Sequence, residues 1–344
     1  MDKSDKIIVG ISIGDINGIG IEVILKTFHD KRMLEFCTPV LFGSTKVISY
    51  HKKALNSVVS VHGITSINQI HHNKINVLNI WKEEVDIQLG KATKSSGEYA
   101  AKSLESAVQH LKEKTIDVLL TAPINKETIQ SESFNFPGHT EYLEEHLEGK
   151  SLMILMTDEI RIGLITGHIP IAKIAETINP TLIKDKVETM HTSLVKDFGI
   201  SKPKIAVLGL NPHNGDKGVI GNEEDEMIKP TISEIKETGK LVFGPYAADG
   251  FFGSKTYTQF DGVLAMYHDQ GLAPFKALSF GKGVNFTAGL SEIRTSPDHG
   301  TGFEIAGKNT ANASSFTEAL FTAIKIFKTR KEYRELTKNP LKVR

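Results

Sequence analysis

The chain has 344 residues, about two domains' worth at roughly 150 residues each. Hydrophobic residues make up 40% and charged residues 24%, with 29 Gly and 12 Pro, a balance that excludes a disordered chain. Lysine plus arginine number 41 against 41 aspartate plus glutamate, and this neutrality argues against a protein that lives on nucleic acid by bulk charge.

The opening MDKSDKIIVGIS has a charged head but no apolar stretch of signal-peptide length. No later run approaches the roughly 18 apolar residues that would span a bilayer, so a cytoplasmic protein with no membrane partner is expected. IIVGISIG (7–14) reads as a buried strand and runs into GDINGIG (14–20). That glycine loop lacks the Rossmann spacing; it is either a tight strand-to-helix turn or a place where backbone N–H groups meet an anion. Cys37 is the only cysteine, which leaves no intrachain disulfide and no cysteine-based zinc site. TPVLFG (38–43) is the next strand, and His51, His71 and His72 read as solvated surface. Ala100, Leu104, Ala107, Val108 and Leu111 share one face of a helix opened by Ser95-Ser96-Gly97-Glu98. The run IDVLLT (116–121) is followed by a strand-poor stretch, 122–140, which marks a crossing into a second domain.

Further strands are IRIGLIT (160–166), KIAVLGL (204–210), KLVFG (240–244) and GVLAMY (262–267). Leu182, Val187, Met190, Leu194 and Phe198 form one helix face, and Phe316, Ala319, Leu320, Ala323 and Phe327 another. The segment 268–304 is glycine-rich with little periodicity and reads as a long functional loop. The chain returns to its first domain near residue 300, giving expected domains of 1–128 plus 300–344 and 129–299. The basic end, KIFKTRKEYRELTKNPLKVR, reads as a solvated helix face with a frayed tail. Strands alternating with helices imply an α/β fold with a largely parallel sheet.

Ligands of such sheets bind beyond the carboxyl ends of the strands, and there the polar residues collect. His168, His213 and His268 each follow an apolar run within a few residues. Three neutral imidazoles with an open position make a catalytic metal site, although spacing alone does not separate ligands from loop histidines bonded to backbone. His139 and Thr140 sit on the Pro-Gly turn of FPGHTEYL (136–143); they suit a phosphate or carboxylate, with a plain helix cap as the other reading of Thr140. Lys276, Asn285 and Arg294 offer a point charge, an amide and a bidentate fork to a phosphate, or else belong to a solvated basic loop. Asp249 in PYAADGFF (245–252) is either a carboxylate near a metal or an ordinary turn residue.

Taken in order, GDINGIG, TAPINK, FPGHTEYL, TGHIP, GLNPHNGDKGVIGNEE, GPYAADGFF, MYHDQGLAPFK and GVNFTAGLSEIRTSPDHGTGFEIAGK resemble the 4-hydroxythreonine-4-phosphate dehydrogenase family over nearly the whole chain. The resemblance implies two α/β/α domains with a cleft between them, as in isocitrate and isopropylmalate dehydrogenases, and a homodimer with shared active sites. It implies oxidation of 4-phosphooxy-L-threonine with NAD or NADP to a 3-oxo acid, which decarboxylates to 3-amino-2-oxopropyl phosphate for pyridoxine 5'-phosphate synthesis. By the same resemblance His168, His213 and His268 hold zinc, magnesium or cobalt, with His268 coming from the partner subunit. His139, Thr140, Lys276, Asn285 and Arg294 hold the substrate, and Asp249 lies beside the metal as a candidate catalytic base. Ile16-Asn17 replaces the family's usual Pro-Ala, and Ile21 stands where a Pro is usual. A sister dehydrogenase of threonate or erythronate 4-phosphate, or a non-catalytic phosphometabolite-binding protein, are the competing expectations.

Overall fold

The computed structural model describes residues 6–132 and 134–339; the MDKSD head and the last five residues of the basic tail lie outside the described residues. Its strands are β1 (Ile8–Ser12), β2 (Thr38–Gly43), β3 (Val61–Ile64), β4 (Ile75–Asn79), β5 (Val118–Thr121), β6 (Gly149–Met156), β7 (Arg161–Leu164), β8 (Lys204–Leu208), β9 (Leu241–Tyr246), β10 (Gly262–Ala265), β11 (Val284–Leu290) and β12 (Arg294–Pro297). The helices up to mid-chain are α1 (Gly20–Thr27), α2 (Met33–Phe36), α3 (Thr45–Ala54), α4 (Lys94–Lys112) and α5 (His139–His146). After them come α6 (Ile174–Thr177), α7 (Pro180–Lys196), α8 (Lys229–Glu237), α9 (Ala248–Gly253), α10 (His268–Ser279) and α11 (Ser314–Thr337).

The chain divides into two compact units. One comprises the chain up to Glu148 with Ser291–Phe327, the other Gly149–Leu290 with the chain from Lys328 on. These limits differ from the expected 128/129 and 299/300, and pairing gives the reason. α5 closes the first unit before β6 begins, and Arg294 of β12 pairs with Leu119 of β5. His139, Thr140 and Arg294 therefore belong to the first unit, not to the one that carries the three histidines.

The first unit's strands run in the order β3-β4-β2-β1-β5-β12, with neighbouring strands parallel throughout. Such sheets are covered on both faces, and all residues of β2 and β5 are buried. α4 begins where the sequence places it, because Thr93 Oγ1 accepts from the Ser96 N–H at 3.1 Å. Its buried face contains Ala100, Leu104, Ala107, Val108 and Leu111, the set that the 3.6-residue period selects.

The second unit orders its strands β11-β6-β7-β10-β8-β9. β6 is antiparallel to both neighbours, whereas β7, β10, β8 and β9 run parallel. Pro180 opens α7 at a position where a missing N–H costs nothing. That helix buries Val187, Met190 and Leu194 as expected, while Leu182 and Phe198 remain half-buried.

The segment 268–304 is not a long loop. α10, β11 and β12 fill it, and periodicity missed them because Pro274 lies inside the helix and Gly289 sits at the β11 bulge. The basic C-terminal stretch is helical to Thr337. Arg330 within it is 3% exposed, not solvated, and is bonded to the equally buried Asp197 at 2.5 Å.

His51 is likewise no surface residue. It is buried, its Nε2 donates to the Ile16 carbonyl at 2.8 Å, and burial lowers its pKa to about 4. Burial pushes the Cys37 thiol up to about 12, which makes the lone cysteine a small packing group. No helix among the described residues is long and apolar enough to cross a membrane.

Candidate active site

In the second unit four neighbouring parallel strands, β7, β10, β8 and β9, present their carboxyl ends along one edge. His168 follows β7, His268 follows β10, His213 follows β8 and Asp249 follows β9. The register Ile162↔Val263 between β7 and β10 brings their ends together. The His168 and His268 ring centroids lie 5.4 Å apart as a result. Two imidazoles on one ion at tetrahedral geometry, with metal–nitrogen bonds near 2.0–2.1 Å, place their ring centres about 5 Å apart. This pair fits a shared divalent ion.

Asp269 Oδ1 lies 2.7 Å from His268 Nδ1. A carboxylate there holds the Nδ1–H tautomer and leaves Nε2 to ligate. Gln270 ties the neighbouring strand ends together: its Oε1 accepts from the Met266 N–H and its Nε2 donates to the Gly209 carbonyl, both at 2.7 Å.

His213 sits in a left-handed turn in which His213, Asn214, Gly215, Asp216 and Lys217 all have positive φ. This turn is anchored by Glu224, which is fully buried. The carboxylate accepts from the Leu210 N–H at 2.8 Å, the Asn211 N–H at 2.7 Å and Asn211 Nδ2 at 3.0 Å. Among the described residues no group of three His, Cys, Asp or Glu side chains assembles that would hold a metal; in one chain His213 does not join the His168–His268 pair. Asp249 is exposed in the first turn of α9, and Lys276 is exposed on α10. Asn285, on β11, has an Oδ1 that is buried without a hydrogen-bond partner, an acceptor open to a ligand's donor.

The first unit holds a second cluster. Arg294 begins β12 and is 2% exposed; its Nε and Nη2 donate to Thr121 Oγ1 at 3.0 and 2.7 Å. Burial lowers the guanidinium to about 9, with Glu141 pulling the other way. His139 opens α5, with Gly138 as the cap residue, so Thr140 lies inside the helix and is not its cap. The His139 Nε2 is buried without a partner. Burial, then the nearby Arg294 and Lys126, holds this imidazole well below its ordinary pKa. A neutral imidazole beside a buried guanidinium is a polar, electropositive corner suited to an anionic oxygen.

The glycine loop belongs to neither cluster. Asn17 is fully buried; its Nδ2 donates to the Lys91 carbonyl and Thr93 Oγ1, and its Oδ1 accepts from the Gln88 N–H. Asp15 Oδ2 accepts from Ser96 Oγ at 3.0 Å. The loop is a packed strand-to-helix turn, and Asn17 works as a clamp on 88–93. Thr121, Glu141, Glu224 and Gln270 escaped the sequence reading. Each acts through a hydrogen bond or charge on a residue distant in the chain, and only the closing positions of IDVLLT and GNEE hinted at them.

The model of the pyridoxal phosphate biosynthetic protein PdxA family matches residues 35–323. A Bacteroides thetaiotaomicron protein named 4-hydroxythreonine-4-phosphate dehydrogenase is 52% identical, with 99% of this chain and 94% of that protein covered. A Cupriavidus necator D-threonate 4-phosphate dehydrogenase is 36% identical over 91% of this chain and 95% of its own length. A crystal structure of a 4-hydroxythreonine-4-phosphate dehydrogenase from Klebsiella pneumoniae superposes with a TM-score of 0.80 at 30% identity, covering 95% of this chain and 99% of that one. The strand-end histidines, the buried arginine and the end-to-end similarity converge: the chain belongs to the PdxA family of pyridoxal phosphate biosynthetic proteins.

Proposed function

We propose that this protein is a dehydrogenase that oxidises 4-phosphooxy-L-threonine with NAD. The 3-oxo acid formed then loses carbon dioxide to give 3-amino-2-oxopropyl phosphate. The observation that carries this reading is the 52% identity across 99% of the chain to a relative named for that activity. The His168–His268 pair, 5.4 Å apart, supports a divalent ion (zinc, magnesium or cobalt) as the second requirement, with His213 as third ligand in a homodimer whose sites draw on both subunits. Such an ion supplies Lewis acidity that makes a bound hydroxyl more acidic and polarises a ketone.

The chain's own residues do the rest. Asp269 keeps the proton of His268 on Nδ1. Arg294, with Lys276 and Asn285, binds phosphate oxygens, and this binding energy, remote from the reacting carbon, fixes its position. His139, held neutral, and Thr140 hydrogen-bond the substrate without adding charge. Asp249 is the candidate to accept the hydroxyl proton as hydride leaves for the nicotinamide. We read the protein as cytoplasmic, and NADP as the alternative acceptor.

The second reading, oxidation of D-threonate 4-phosphate, has the 36% relative in its favour. NADH formation with each substrate, with and without a chelator, separates the two. Turnover of 4-phosphooxy-L-threonine that a chelator abolishes is the expected result. Faster turnover of D-threonate 4-phosphate would replace the first reading by the second.

A further inference from the structure

The ladder between β10 and β8 ends at Leu264↔Val207. Two positions further along the same register stand Met266 and Gly209, both buried, and between them lies the side-chain amide of Gln270. Gln270 is in the first turn of α10, two residues past His268, and its side chain reaches back to the strand ends. The amide does what a peptide group does in a sheet: its oxygen accepts from the Met266 N–H and its nitrogen donates to the Gly209 carbonyl, each at 2.7 Å. On its other side β10 stays joined to β7 past the last ladder pair. Ile165 N–H donates to the Ala265 carbonyl at 2.8 Å, and Thr166 donates to the Met266 carbonyl from its N–H at 3.2 Å and its Oγ1 at 2.6 Å. The β8 end is anchored as well, because the Gly209 N–H donates to the Tyr246 carbonyl at 2.8 Å and Glu224 holds the next two N–H groups. The histidines follow this pattern. His168 and His268, each two residues beyond the Thr166–Met266 bond, have ring centroids 5.4 Å apart, whereas His213, four residues beyond Gly209, does not join them among the described residues.

We propose that Gln270 is a positioning residue for the divalent ion: its amide, standing as a spacer between the ends of β10 and β8, sets the directions in which the segments bearing His268 and His213 leave the sheet. The inference rests on the reading of these histidines as metal ligands. It holds whether one subunit or two complete a site, since each segment delivers its own imidazole. Metal–nitrogen bonds near 2.0–2.1 Å leave little tolerance for a misplaced ring, and groups that orient ligands from behind typically carry about 10- to 100-fold in metal affinity. Removing the amide also leaves the buried Met266 N–H and Gly209 carbonyl without this bridge, so the two strand ends must find a new spacing. Methionine is unbranched like glutamine and similar in length but cannot bridge the two groups; leucine is a second apolar replacement.

The test titrates cobalt, as the metal alone, into the metal-free full-length protein. Affinity is read by calorimetry and ligand geometry by the visible absorption of the bound ion. Gln270→Met should weaken cobalt binding about tenfold or more and alter the position or intensity of the absorption bands. Gln270→Leu serves as a second deletion of the amide should the methionine variant fold poorly. A folded variant that binds cobalt with parental affinity and parental spectrum overturns the proposal, and if it also melts earlier the amide is merely structural. His168→Ala and His268→Ala separate the inference from the reading beneath it. If they weaken cobalt binding while Gln270→Met matches the parent, the positioning role is wrong and the metal reading stands. If both leave cobalt binding unchanged, the metal reading fails and takes the role of Gln270 with it.

Discussion

The histidines show how one residue type takes opposite roles by environment. His51 is buried against a carbonyl and held neutral, while His168 and His268 face each other across two strand ends with an acidic neighbour on one of them. Only the second arrangement brings two imidazoles together at the spacing that ligands of one ion would need. His213→Ala should abolish turnover and weaken cobalt binding by at least tenfold, read from the visible absorption of the bound ion. A variant with parental metal affinity and rate would remove His213 from the ligand set. Sequence placed these three histidines at strand ends, and that much was legible. What it lacked was pairing order: β7 and β10 are nearly 100 residues apart in the chain yet hydrogen-bonded neighbours.

At the scale of elements, close packing sets the tolerances. Gly97 lies in the first turns of α4, where a Cβ would come within 1.9 Å of the Thr128 carbonyl oxygen. Alanine is worth about 1 kcal/mol over glycine in a helix interior, yet a backbone clash of that size costs more. Gly97→Ala should therefore be net destabilising, by roughly 1–3 kcal/mol in urea unfolding. A stabilised variant would mean that the 128 segment gives way freely. The pair Asp197–Arg330 joins the end of α7 to α11, with Ser193 Oγ donating to the other carboxylate oxygen at 2.7 Å. Arg330→Ala strands a buried carboxylate and should cost about 3–5 kcal/mol, seen as a large fall in melting temperature. Arg330→Met, which keeps bulk but not charge, should be no better. Composition marked this stretch as a solvated basic tail, because a run of lysines and arginines gives no sign of which one a distant aspartate will bury.

For the whole molecule, the buried imidazole of His51 couples protons to stability. Its folded pKa, about 4, lies below the ordinary value of 6.5, so as pH falls the unfolded chain takes up the proton first. The contribution is complete above about pH 6.5 and is lost as pH falls toward 4, by at most about 3 kcal/mol. His51→Gln, which can still donate to the Ile16 carbonyl, should flatten the urea-unfolding profile over that window relative to the parent. Identical pH slopes in the two proteins would show that His51 does not carry the linkage. Binding works in the opposite sense: a divalent ion or phosphate that prefers the folded form should raise the melting temperature with concentration.

Sequence by itself determined the α/β class, most of the parallel strands, the helix faces of α4 and α7 and the residues gathered at strand ends. These depend on local period and residue type, which a chain carries wherever it folds. Tertiary structure alone decided that 268–304 is helix and strand, that His139 and Arg294 share one unit while the histidine trio belongs to the other, and that Asn17 and Glu224 serve as clamps. The neutral total of charge was likewise silent about place. A guanidinium 2% exposed beside a neutral imidazole is a product of strand pairing, and pairing is a long-range property that no window of sequence contains.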